Sequence, residues 1–203
     1  MKNMLKKILF YFDYIRYIFV LILYKKCKKK ELINKDIKKW QSKFAQIENK
    51  SFNYSLHWLM FKFPEFRNLF YYRTQEDFFI RHICKMLYRK LNTLDINPLQ
   101  SIGGGLFIQH GFSSIIMAKS IGENCWINQQ VTIGYIEDKG NPIVGNNVKI
   151  HAGAVVIGNI TIGDNVVIGA NTTVTKDVPP NCTVVGGQSY IVKKNNIKVK
   201  EKL

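Results

Sequence analysis

Apolar residues recur along this chain at two different periods. Through 92–190, aliphatic side chains return every six residues: Ile121, Ile127 and Ile133, then Val144, Ile150, Val156, Ile162, Ile168 and Val174. Five of these nine positions are followed directly by Gly, which suits a chain that turns a corner after each inward side chain. A second Val closes several hexads, at Val131, Val148, Val166 and Val178. Upstream, Ile102 and Ile108 start the rhythm, and Ile115 resumes it one residue late. A six-residue repeat fits neither a helix nor a continuous strand. It predicts short straight segments joined by corners, a parallel β-helix in which each coil stacks on its neighbours. The eleven-residue step from Ile133 to Val144 predicts a loop extruded at 135–142.

Residues 1–91 follow a helical period instead. Ile37, Trp40, Phe44 and Ile47 place an apolar stripe on 36–50. Pro64 breaks the aromatic segment His57–Phe63, and Glu65–Arg73 resumes a stripe. Phe78, Ile80, Ile83, Leu87 and Leu91 supply another over 77–91. The expected organisation is therefore a helical region over 1–91, a β-helix over 92–190 and a tail over 191–203.

Charge changes this picture. Residues 1–91 hold 21 Lys+Arg against 7 Asp+Glu, whereas 92–190 hold 4 against 6. A basic helical region on a nearly neutral β-helix suggests an anionic surface as partner. No nucleic-acid motif accompanies it, so nucleic acid is not expected. The apolar run Tyr17–Tyr24 is too short to span a bilayer, and Lys follows where a signal peptide would need small residues. Two readings stay open for this segment: an amphipathic helix at the inner membrane surface, or one packed on protein. Composition that is 46% hydrophobic excludes a mainly disordered chain. Cys27, Cys84, Cys125 and Cys182 form no CxxC pair, which argues against a zinc module or disulfide scaffold and for reduced thiols in the cytoplasm. The dispersed His57, His82 and His151 likewise make no metal site.

The segments GLFIQHGFSSIIMAKSIGENCWINQQVTIG and VVIGNITIGDNVVIGANTTVTKDVPPNCTVVG, within Gly105–Gly186, resemble the hexapeptide-repeat acyltransferases. Within these they are similar to the serine acetyltransferase group and its polysaccharide O-acetyltransferase relatives, with a weaker likeness at PEFRNLFYYR, Pro64–Arg73. The resemblance implies a left-handed parallel β-helix, a homotrimer, acetyl-CoA as donor and a hydroxyl as acceptor, without a metal. It assigns His110 as general base and Asp95, fifteen residues earlier, as the group that orients it. The chemistry suits the pair, because a hydroxyl must lose its proton as it attacks a thioester and imidazole titrates in the right range. Gly134, Ala152 and Ala170 are the expected backbone contacts of acetyl-CoA, with Lys176 at its phosphates.

Where serine acetyltransferases carry Arg-His-Pro, this chain has Gly140-Asn141-Pro142, and Gln109 replaces the acid before the catalytic His. Neutral polar groups such as Gln109 and Asn141 suit a sugar better than a charged amino acid. The sequence-based expectation is therefore an O-acetyltransferase acting on a glycan hydroxyl in capsular, exopolysaccharide or O-antigen synthesis. Serine O-acetylation and a non-catalytic β-helix scaffold are the alternatives.

Overall fold

The computed structural model describes residues 9–136, 140–187, 190–194 and 197–202. Helices fill the first part: α1 (Tyr14–Lys26), α2 (Lys30–Gln41), α3 (Phe52–Lys62), α4 (Pro64–Arg73) and α5 (Phe78–Leu87). Pro64 both ends α3 and opens α4, where its missing N–H costs nothing. Ser51 and Asp77 cap α3 and α5 by accepting from the backbone N–H of Tyr54 and Ile80. α2 buries Ile33, Ile37 and Trp40 on one stripe. It stops at Gln41, so the helical pattern expected over 36–50 gives way to turns that still bury Ile47. α5 likewise ends before the expected Leu91.

Strands then follow with the six-residue rhythm. β1 (Leu94–Ile96), β4 (Ser114–Ile116), β7 (Thr132–Gly134), β10 (Val155–Ile157) and β13 (Thr173–Val174) stack as one parallel sheet. β2 (Ser101–Ile102), β5 (Ser120–Ile121), β8 (Ile143–Val144) and β11 (Thr161–Ile162) form a second. β3 (Phe107–Ile108), β6 (Trp126–Ile127), β9 (Lys149–Ile150), β12 (Val167–Ile168) and β14 (Thr183–Val184) form a third. The result is the expected parallel β-helix, a three-sided prism. All nine hexad residues from Ile121 to Val174 are at most 5% exposed and stack in register, Ile127 on Ile150 on Ile168 for example. Each such side chain contributes about 1.5–3 kcal/mol by leaving water.

One expected inward residue is corrected. Ile115 is 46% exposed and Ile116 takes the core position beside Ile133. The inward step from Ile108 to Ile116 is therefore eight residues, against six from Ile127 to Ile133, Ile150 to Val156 and Ile168 to Val174. The first coil thus carries a two-residue insertion at one corner. The tail is also ordered as a pair of antiparallel strands, β15 (Tyr190–Lys194) and β16 (Ile197–Lys202).

The helices close the first coil through a few buried polar bonds. The Arg73 guanidinium pairs with Asp36 at 2.9 Å and donates to the carbonyls of Ile102 and Gly103. Asp36 in turn accepts from the N–H groups of Gly105 (2.8 Å) and Leu106 (3.0 Å). The Trp40 indole donates to the Leu106 carbonyl at 2.9 Å. A second buried node sits in the helices, where the Asp13 carboxylate accepts from the Tyr88 hydroxyl and meets His57 Nε2 at 3.1 Å and Arg16 Nε at 3.0 Å. Burial works against the charge of Asp13, but hydrogen bonds from His57 and Tyr88 and the Arg16 charge outweigh it, so its pKa is lowered. Among the described residues no helix is long and apolar enough to cross a membrane.

Candidate functional site

The two inserted residues are His110 and Gly111. At the regular corners between the third and first sheets, Gln130, Gly153 and Asn171 supply the single positive φ that the turn needs, and Ser113 (φ 53°) supplies it in the first coil. His110 (φ 65°) and Gly111 (φ 52°) add two more left-handed residues. A β-carbon on Gly111 would lie 2.9 Å from the Ile108 side chain, so this position excludes any larger residue. For an imidazole residue the left-handed conformation costs about 1–3 kcal/mol, and such strain concentrates where function demands a fixed geometry. The insertion pushes His110 out of the coil, exposed at the rim of a cavity of about 190 Å³.

That cavity lies between the helices and the first two coils. Its walls are aromatic, from Trp40, Phe44, Phe63, Phe107 and Trp126. Its polar groups are His110, Gln109, Glu65 and Lys43. Glu65, in the first turn of α4, is 8% exposed, and its Cβ would stand 3.2 Å from a β-carbon placed on Gly111. Burial pushes the Glu65 carboxyl above its ordinary value, while the His110 and Arg67 charges pull the other way. The Lys43 ammonium lies 4.5 Å over the Trp126 ring. Trp126 Nε1 is buried and has no hydrogen-bond partner.

Asp95 lies elsewhere. It points outward from β1 and lines a separate polar cleft with Asn68, Tyr72, Gln75, Lys85 and Lys90. Its neighbour Leu94 reaches the turn, at 3.1 Å from the β-carbon position of Gly111. No hydrogen bond joins Asp95 to His110. Gln109 accepts a long bond from Asn128 at 3.4 Å and lines the cavity. Asn141 is buried and donates to the Met117 carbonyl, so its amide is committed to the coil. Ala152 and Ala170 occupy later turns of the same edge of the prism as His110. Gly134 and Lys176 fall at the opposite border of the first sheet, with Lys176 lining a shallow cleft at the far end of the prism. Among the described residues no group of His, Cys, Asp or Glu is arranged to hold a metal ion.

Sequence reasoning missed Glu65, Lys43 and Trp126. Glu65 was visible only as a polar residue at the start of a helix, 45 positions before His110. No periodicity connects two segments that meet only when α4 lies against the first coil.

The stacked coils and the extruded corner define a hexapeptide-repeat protein, and the family described as bacterial transferase hexapeptide (six repeats) matches residues 141–176. The chain thus carries bacterial transferase hexapeptide repeats over this segment and is similar in sequence to serine acetyltransferases. It is 37% identical over 124 residues to a serine acetyltransferase of Synechococcus elongatus, covering 59% of this chain and 51% of that one. It is 40% identical over 129 residues to a serine acetyltransferase of Staphylococcus aureus, covering 62% and 61%. The chain thus spans half to three fifths of these relatives. Among solved structures, serine acetyltransferase isoform 3 of Entamoeba histolytica in complex with cysteine superposes with TM-score 0.58 at 30% identity, covering 81% of this chain and 61% of that one. The Neisseria gonorrhoeae serine acetyltransferase in complex with serine gives 0.55 at 27%, covering 78% and 66%.

These relatives overturn the expectation of a glycan acceptor. The neutral residues that motivated it do not build the pocket alone. Asn141 is held inside the coil, and the cavity beside His110 carries a carboxylate and an ammonium that a neutral sugar would leave unused.

Proposed function

We propose that this chain transfers an acetyl group from acetyl-CoA to the hydroxyl of serine, with His110 as general base. The observation that carries this reading is the two-residue corner that holds His110 out of the coil at the mouth of a charged, aromatic-walled cavity. The serine acetyltransferases among its relatives support the acceptor, and a serine acetyltransferase in complex with CoA, with the same fold, supports the donor. In the proposed step His110 takes the hydroxyl proton as the serine oxygen attacks the thioester carbonyl. The tetrahedral intermediate then expels CoA as thiolate, which takes the proton back from the imidazolium. The role of Asp95 in orienting His110 stays part of this proposal on the strength of its fifteen-residue spacing, without a direct hydrogen bond between them in this structure. Acetyl-CoA would run along the edge that carries Ala152 and Ala170, with Gly134 and Lys176 across the sheet. Assembly as a homotrimer, in keeping with the repeat family, belongs to the same proposal.

Release of CoA from acetyl-CoA with L-serine tests it. His110→Ala is expected to slow kcat by about 10²- to 10⁴-fold without lowering the melting temperature. Release that is fast but independent of serine, or equal in the variant, overturns it.

A peripheral membrane contact has its own observation. α1 buries Tyr17, Val20 and Leu23 on one side yet exposes Ile15, Ile18 and Ile22 on the other. α5, antiparallel beside it with Arg16 at the Leu87 carbonyl and Lys26 at Asp77, exposes Phe79 and Met86. Apolar sides flanked by Lys suit an anionic bilayer. Because the inner face of α1 is core, the test is Ile15→Ser with Ile18→Ser in the full chain rather than deletion of the segment. Equal pelleting of both proteins with anionic vesicles overturns it.

A further inference from the structure

Resting on the serine reading, we infer that Glu65 and Lys43 form the acceptor-binding pair, Glu65 receiving the ammonium and Lys43 the carboxylate of the amino acid. Buried charge is tolerated when it is paired. The three buried acids among the described residues are Asp13, Asp36 and Glu65. Asp13 is met by Arg16 and His57, and Asp36 by Arg73 and two backbone N–H groups. Glu65 alone has no ion pair and no hydrogen bond to another residue among the described residues, its carboxylate meeting only its own backbone N–H, and it lines the cavity that His110 opens onto. Lys43 likewise has no ion pair among the described residues, resting its ammonium on Trp126 in the same cavity.

The two charges are opposite and line the same aromatic-walled cavity, Glu65 on its buried side and Lys43 on its exposed side. That arrangement is complementary to a small zwitterion bearing a hydroxyl. The pair also accounts for a gap in the sequence. Gly140-Asn141-Pro142 offers no cation and Gln109 no anion, so the charges that read the acceptor come instead from the helices, one from the turn after α2 and one from the start of α4.

Steady-state kinetics with three acceptors test the assignment: L-serine, ethanolamine, which lacks the carboxylate, and 3-hydroxypropanoate, which lacks the ammonium. Glu65→Gln is expected to lower kcat/KM by about tenfold to hundredfold for serine and ethanolamine, the size of one charged hydrogen bond, and to leave 3-hydroxypropanoate nearly unchanged. Lys43→Met is expected to do the reverse, sparing ethanolamine, while Lys43→Arg keeps most of the activity on serine. The KM for acetyl-CoA stays the same throughout. Unchanged serine kinetics in both variants overturns the assignment. An equal loss on all three acceptors also overturns it, because Glu65 would then act on His110 rather than on substrate. Wild-type protein that shows no serine-dependent release refutes the serine reading itself. Calorimetric titration of L-serine then decides the pair separately: binding lost in both charge-removing variants supports it, and no binding to wild type overturns it.

Discussion

The β-helix and the helical region are stabilised in opposite ways. The β-helix repeats one small solution, an inward aliphatic residue per side and a left-handed residue at both corners that flank the third sheet. Its corner between the second and third sheets is closed by a ladder in which Asn147 donates to Asn165 at 3.0 Å and Asn165 to Asn181 at 2.9 Å. Each coil touches only its neighbours, so any one contact is one of many equivalents. The helical region repeats nothing. It is joined to the first coil by single bonds with no substitute, chiefly the Asp36–Arg73 pair and the Trp40 indole. Redundancy suits a scaffold, and unique contacts suit a site, which is why the cavity opens where the two regions meet.

This contrast can be broken by substitution. The largest effect is expected from Asp36→Ala, which strands the Arg73 guanidinium in the interior beside two unanswered N–H groups. Its cost should be about 3–5 kcal/mol in denaturant unfolding. A loss below about 1 kcal/mol would mean that the junction is not held by this pair. Ile150→Ala, in the middle of the third sheet, should cost about 2–5 kcal/mol. If the coils are truly equivalent, Ile168→Ala will fall within experimental error of it in the same titration. Asn165→Ala removes one rung and a favoured left-handed residue, and a smaller loss of about 1 kcal/mol is expected.

The smallest effect has the opposite sign. The folded pKa of Glu65 lies above its ordinary 4.5, so the folded chain binds more protons than the unfolded one between those values. Wild-type stability therefore falls as pH rises through that window. Glu65→Gln, which has no charge to bury, should melt higher than wild type at neutral pH, and the advantage should vanish below about pH 4.5. Thermal melts at pH 4 and pH 7 read this directly. A residue that weakens acceptor use when present as Gln, yet destabilises the fold when present as Glu, is kept for its chemistry.

How much of this was legible varied by residue. The nine hexad positions identified the β-helix, because an inward residue in a stacked coil depends only on its own repeat. His110 was recognisable by its motif, but the reason for its prominence was not. The slip from Ile115 to Ile116 that reveals the inserted corner shows only when strand register is seen. The helix expected over 36–50 stops at Gln41, since its later apolar residues are buried by turns that the period of a helix cannot describe.

The sequence by itself determined the repeat, the prism and the position of the imidazole, because these follow from local periodicity. Tertiary structure alone decided which charges line the cavity beside that imidazole. Glu65 and Lys43 reach it by long-range packing of α4 and the turn after α2 against the first coil, and Asp95 is turned outward by strand alternation. Side chains far apart along the chain become neighbours only when burial of apolar surface brings their elements together, and no local pattern encodes that meeting.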